Sequence, residues 1–81
     1  MVEIGISKKP STGEFRVFWK ENGKDIEARA YYTDWWQDAV DTLLTIELHN
    51  NASGIPTSIS SGKSTTSLLR RYNRTFGGMV E

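Results

Sequence analysis

The residues with the most suggestive chemistry are Gly62-Lys63-Ser64-Thr65, the tetrapeptide that closes a phosphate-binding P-loop. That loop needs a glycine five positions earlier, so that bare backbone can wrap the phosphates, and Thr57 stands there instead. The loop must also leave a buried strand, whereas residues 49–54 read as a helix end running into a polar linker. The tetrapeptide therefore reads as a Ser/Thr-rich linker followed by a short helix. Asp34, Asp38 and Asp41 recur at spacings of four and three, which suits one helical face and, in principle, a divalent cation. Acidic residues in a first turn equally complement the helix dipole, and that is the preferred reading. His49, the only histidine, falls at a predicted helix end. With no cysteine in the chain, no thiolate nucleophile, disulfide or thiolate metal site exists. These residues assemble into no catalytic constellation, and the expectation is a protein that is not an enzyme, with no metal and no cofactor.

The elements that position the remaining polar residues follow from periodicity. Val2, Ile4 and Ile6 alternate with polar or small residues, then Lys8 to Gly13 breaks the pattern. Phe15, Val17 and Trp19 alternate with Arg16, Phe18 and Lys20 up to Asn22-Gly23, the strongest short hairpin signal. A third strand is expected from Asp25 to Tyr32. Thr33 or Asp34 can cap a helix, Asp34 and Gln37 having the capping-box spacing, and Trp36, Ala39, Val40, Leu43 and Ile46 then mark an amphipathic helix by its 3.6-residue period. Residues 50–66 are dominated by Ser, Thr, Asn and Gly and read as a polar flexible loop. Leu68, Leu69, Tyr72 and Phe76 then mark a short helix over 67–77, with Gly77-Gly78 as its stop. The expected fold is α+β: a three-stranded antiparallel sheet packed on one amphipathic helix (residues 1–49), a polar loop (50–66) and a short C-terminal helix (67–77) of the same domain.

The hairpin turn sets the expected register. Counting outward, Lys24 meets Glu21, Asp25 meets Lys20, Ile26 meets Trp19, Ala28 meets Val17, Arg29 meets Arg16 and Ala30 meets Phe15. Like charges facing each other destabilise a sheet unless an anion lies over them. Arg16, Arg29 and Lys20, interleaved with Phe18 and Tyr31, thus form a basic and aromatic outer face suited to phosphates and stacked bases, although Glu14, Asp25 and Glu27 share that face and would equally neutralise the arginines in an ordinary surface network. Arg70, Arg71 and Arg74 add a second basic cluster on the last helix. Basic and acidic residues number ten each, so any attraction for nucleic acid must come from segregation of charge and not from its sum.

The stretch from Gly13 to Leu44, GEFRVFWKENGKDIEARAYYTDWWQDAVDTLL, resembles the N-terminal DNA-binding domains of phage and transposon tyrosine integrases and the related AP2-type domains. The signals are the aromatic-basic second strand (Phe15, Arg16, Trp19, Lys20), the Asn22-Gly23-Lys24 turn, and a third strand leading through Tyr32-Thr33 into a helix with Ala39 and Leu43. The resemblance implies a three-stranded sheet backed by one helix, its outer face entering a DNA groove, with Arg16, Lys20 and Arg29 on the backbone.

Two functions are therefore expected. One is a small nucleic-acid-binding protein, for single-stranded RNA or DNA or duplex DNA, using Arg16, Phe18, Lys20, Arg29, Tyr31, Arg70, Arg71 and Arg74. The other is a small phage-type inhibitor that blocks a host enzyme, toxin or defence complex through Asp34, Trp35, Asp38 and Asp41, since Trp, Tyr and Arg dominate interface hot spots. Either works as a monomer or homodimer in the cytoplasm, without a membrane.

Overall fold

The computed structural model describes residues 1–76. The class is α+β, and the sheet is mixed and five-stranded: β1 (Val2–Lys9), β2 (Glu14–Glu21), β3 (Lys24–Asp25), β4 (Tyr31–Thr33) and β5 (Thr57–Ile59), with helices α1 (Trp36–Ala52) and α2 (Lys63–Phe76). β1 and β2 pair antiparallel along their whole length, from Val2 opposite Glu21 to Lys9 opposite Glu14. β3 and β4 share the other side of β2, and β5 lies parallel to the free side of β1.

The turn after β2 forms as its sequence dictates. Asn22 and Gly23 adopt φ of 52° and 82°, and Lys24 and Asp25 face Glu21 and Lys20. Beyond Ile26, whose N–H donates to the Trp19 carbonyl at 2.9 Å, the expected third strand is interrupted by a single 3-10 turn, Glu27–Arg29. When pairing resumes, Val17 meets Tyr31, Arg16 meets Tyr32 and Phe15 meets Thr33. Each partner is three residues later than the unbroken register requires. Because side chains alternate with a period of two, an odd insertion moves every later residue to the opposite face of the sheet. Arg29 and Arg16 are consequently not partners, and Tyr31 turns to the helix side while Tyr32 takes the outer one.

One face of the sheet carries Val2, Ile4, Ile6, Phe15, Val17 and Trp19, which bury with Ala39, Val40 and Leu43 of α1 and Leu68 of α2 in a single core. Both helices cover this face, which leaves the opposite face of β1 and β2 without a layer. α1 starts at Trp36, not at Asp34. Trp35 is its N-cap and makes no side-chain cap bond, and the Trp35 N–H instead donates to the Thr33 hydroxyl at 3.2 Å.

Residues 50–66 are not one loop: they hold the end of α1, all of β5 and the start of α2. β5 forms because Ile55 and Ile59 have an apolar face to join, and the Ser60 N–H extends its ladder by donating to the Ile4 carbonyl at 2.8 Å. α2 begins four residues before Ser67, and Gly77-Gly78 lie outside the described residues.

Candidate functional site

A strand does precede Gly62-Lys63-Ser64-Thr65, contrary to expectation, yet the P-loop stays unbuilt. β5 occupies the place of the missing glycine, leaving only Ser60, Ser61 and Gly62 before α2, which is too short a span to wrap a phosphate. Ser64 holds the position whose hydroxyl would face a metal, and the hydroxyl of the next residue serves the sheet instead. Thr65 is 1% exposed, its Oγ1 accepting from the Ile6 N–H at 2.8 Å and donating to the Ile6 carbonyl at 3.1 Å.

On the outer sheet face, Arg16 is the hub of a closed network. Its Nη1 lies 3.0 Å from Asp25 Oδ2, its Nη2 donates to Glu27 Oε1 at 2.5 Å, and its Nε donates to the Tyr32 hydroxyl at 3.1 Å. Tyr32 in turn donates to the other oxygen of Glu27. The hydrogen bonds that Arg16 donates to Asp25 and Glu27 raise its pKa further above its ordinary value. The Glu27 carboxyl is held below the usual carboxylate range, chiefly by the Tyr32 hydroxyl and then by Arg16. A phosphate approaching Arg16 would have to displace two carboxylates already in place.

The other predicted sheet residues scatter. Arg29 leaves the outer face and lies over the Trp19 ring, 4.6 Å from its centroid. Tyr31 donates to Asp38 Oδ2 at 2.6 Å, a bond that raises its pKa. The Phe18 ring lies over Gly5, where an added Cβ would come within 2.4 Å of Phe18 Cζ. Lys20 stays on the outer face with its Nζ 5.2 Å from the Phe18 centroid, but its cross-strand neighbours are Glu3 and Asp25. The expected basic sheet face is therefore charge-balanced. The 3-10 turn, which sequence periodicity missed, removes Arg29 and Tyr31 from that face and brings Tyr32 to it.

The C-terminal cluster holds together better. α2 contains Lys63, Arg70, Arg71 and Arg74 and no acidic residue, whereas the rest of the chain carries six basic and ten acidic side chains. Arg71 is held over the Trp36 ring at 4.2 Å, and the Tyr72 hydroxyl donates to Asp41 Oδ1 at 2.8 Å, which raises the tyrosine's pKa. These contacts and buried Leu68 dock one side of α2 on α1 and the sheet. The opposite side exposes Lys63, Thr66, Ser67, Arg70, Asn73 and Arg74, a row at helical spacing. Among the described residues, Lys63, Arg70 and Arg74 make no ion pair. Ser61, Lys63, Thr66, Ser67 and Arg70 line a shallow depression along this row.

Of the acidic stripe, Asp38 and Asp41 each accept a tyrosine hydroxyl, and no group of three or more metal-ligating side chains is found among the described residues. Asp34 and Trp35 are exposed, Trp35 at 57%, with Tyr31 at 41% and Tyr32 at 43% close by in sequence. Among the described residues, no helix is long and apolar enough to cross a membrane.

Comparison with protein-family models, curated proteins and solved structures finds no match to this chain.

Proposed function

We propose that this is a small non-enzymatic nucleic-acid-binding protein that holds the phosphate backbone with the exposed row of α2. The observation that carries this reading is the segregation of charge: four cations and no anion on one helix of a protein whose net charge is zero. Lys63, Arg70 and Arg74 contact phosphates and release their counterions. Ser67 and Asn73, lying between them, have the hydroxyl and amide groups that bond sugar, phosphate or base edges. The sheet face resembling integrase and AP2-type domains is assigned a lesser part, through Lys20, because Arg16 already has its anions.

Three phosphate contacts predict a slope of log affinity against log salt of about −2.7 on duplex DNA and about −2.1 on single strands. Fluorescence polarisation with short single-stranded RNA, single-stranded DNA and duplex DNA measures it and ranks the polymers. Arg70→Ala with Arg74→Ala should flatten the slope by about two contacts, while Arg16→Ala leaves it unchanged. An absence of binding at low salt, or a slope indifferent to the α2 variant, would sink the proposal.

A second reading rests on a separate observation, the exposure of Trp35, with Tyr31 and Tyr32 also exposed a few residues before it in the chain. Exposed aromatics of this kind anchor protein interfaces, and the protein would then act as an inhibitor that docks this edge on its target. Trp35→Ala should leave the unfolding free energy within about 0.5 kcal/mol of the parent, as befits an exposed side chain. A larger loss would make Trp35 a packing residue and remove it from any interface.

A further inference from the structure

Between the C-terminal half of α1 and the 3-10 turn lies an open cleft of about 780 Å³, in the size range of small-molecule sites. It exists because the turn lifts the chain off β2, so Ala28 and Arg29, not a paired strand, face α1 across the gap. Val2, Trp19, Ala28, Ile46 and Ile55 supply its apolar surface, and Glu21, Arg29, Thr45 and His49 its polar groups.

These polar groups differ in availability. Glu21 accepts the Trp19 indole N–H at 2.9 Å, which fixes a negative charge on one wall. Arg29 is exposed, stacks on Trp19 and has no ion pair among the described residues. A guanidinium held over an aromatic ring keeps its donors available to a planar two-oxygen acceptor. His49, in the last turns of α1, lines the same cleft and offers a second donor.

We propose that this cleft binds a small carboxylate with an apolar body. The apolar part rests on Val2, Ile46 and Ile55, and the carboxylate engages Arg29 with His49 beside it. The fixed carboxylate of Glu21 repels a second negative charge, so the site selects a monoanion over a nucleotide or other polyphosphate. It shares no residue with the α2 row and does not depend on the nucleic-acid reading.

The test is an amide-correlation NMR titration of the isotope-labelled protein with 4-phenylbutyrate and with its neutral counterpart, 4-phenylbutan-1-ol. The expected result is a saturable shift of the Trp19 indole N–H and of the Ala28, Arg29, Ile46 and His49 amides, with the carboxylate about tenfold tighter than the alcohol. Arg29→Gln should erase that preference while leaving the rest of the spectrum in place. Ile46→Trp, which fills the cleft, should abolish binding of both compounds with Arg29 still present. Three outcomes would each overturn the proposal: no saturation up to ~10 mM, shifts centred on the α2 arginines, or a carboxylate preference that survives Arg29→Gln.

Discussion

Thr65→Val isolates one hydroxyl whose role the fold defines closely. β5 ends its pairing with β1 at Ile4 opposite Ile59, and the Ser60 N–H takes the next carbonyl. Ile6, farther along the same edge of β1, then has no strand beside it. The Thr65 hydroxyl stands in for one, accepting from the Ile6 N–H and donating to the Ile6 carbonyl. Valine preserves shape and apolar burial but leaves both backbone groups buried without partners. At about 1–3 kcal/mol for each of the two orphaned groups, the expected loss is about 2–6 kcal/mol. Thr65→Ser keeps the hydroxyl and removes one methyl, for about 1 kcal/mol. The order is the reverse of what apolar burial alone predicts, because serine should be the milder change. A chain of this size has a total stability of about 4–12 kcal/mol, so the valine variant should show a large fall in urea midpoint, read by circular dichroism, and early exchange of the Ile6 amide. If Thr65→Val lies within about 0.5 kcal/mol of the parent, or serine proves worse than valine, the hydroxyl does not close the sheet edge and the reasoning is refuted.

Two other substitutions probe the sheet. Gly5→Ala places a Cβ 2.4 Å from Phe18 Cζ and 2.6 Å from Ser60 Cβ, and should cost about 1–3 kcal/mol or more by overpacking. Adding Phe18→Ala should restore only part of this in urea denaturation, since Ser60 remains in the way. Arg16→Ala should destabilise at neutral pH, the opposite of what relief of an Arg16–Arg29 repulsion would give. Glu27 has its carboxyl lowered in the native state, so the stability it contributes is present above the ordinary carboxylate range and is lost as pH falls through its lowered value. The gap between parent and Arg16→Ala should therefore narrow on acidification. A gap that widens or stays constant in urea melts taken from neutral to acid pH would mean that the Arg16 network does not act as described.

The hairpin shows where sequence reasoning held and where it stopped. Asn22-Gly23 demands positive φ and so selects its own turn, and the two pairs nearest it are in the register it implies. Glu27-Ala28-Arg29 are all good helix formers, and this was the available signal that the third strand would break. It was outweighed by an apparent alternation of Ile26, Ala28 and Ala30. The consequence reached the site: Arg29 and Tyr31 lost the outer-face positions that an unbroken strand assigned them, while Tyr32 took its place beside Arg16. On α2, Arg70 and Arg74 share the exposed side that their spacing implies, because a helical face follows from spacing within a single element, whereas Arg71, expected beside them, is held over Trp36.

The sequence by itself determined the local terms. These are two alternating strands, a positive-φ turn, an amphipathic helix, an α+β class, and the concentration of cations on a final helix free of acids. Each depends on residues a few positions apart, whose conformational preferences act before the chain closes on itself. The tertiary structure alone decided that β5 would join β1 from the polar stretch, that Thr65 would cap Ile6 from 59 residues away, and that Tyr32, in place of Arg29, would stand beside Arg16. Those outcomes depend on which buried backbone groups and charges remain unmet once the core has formed, and a polar residue read in sequence order carries no record of the distant group it will satisfy.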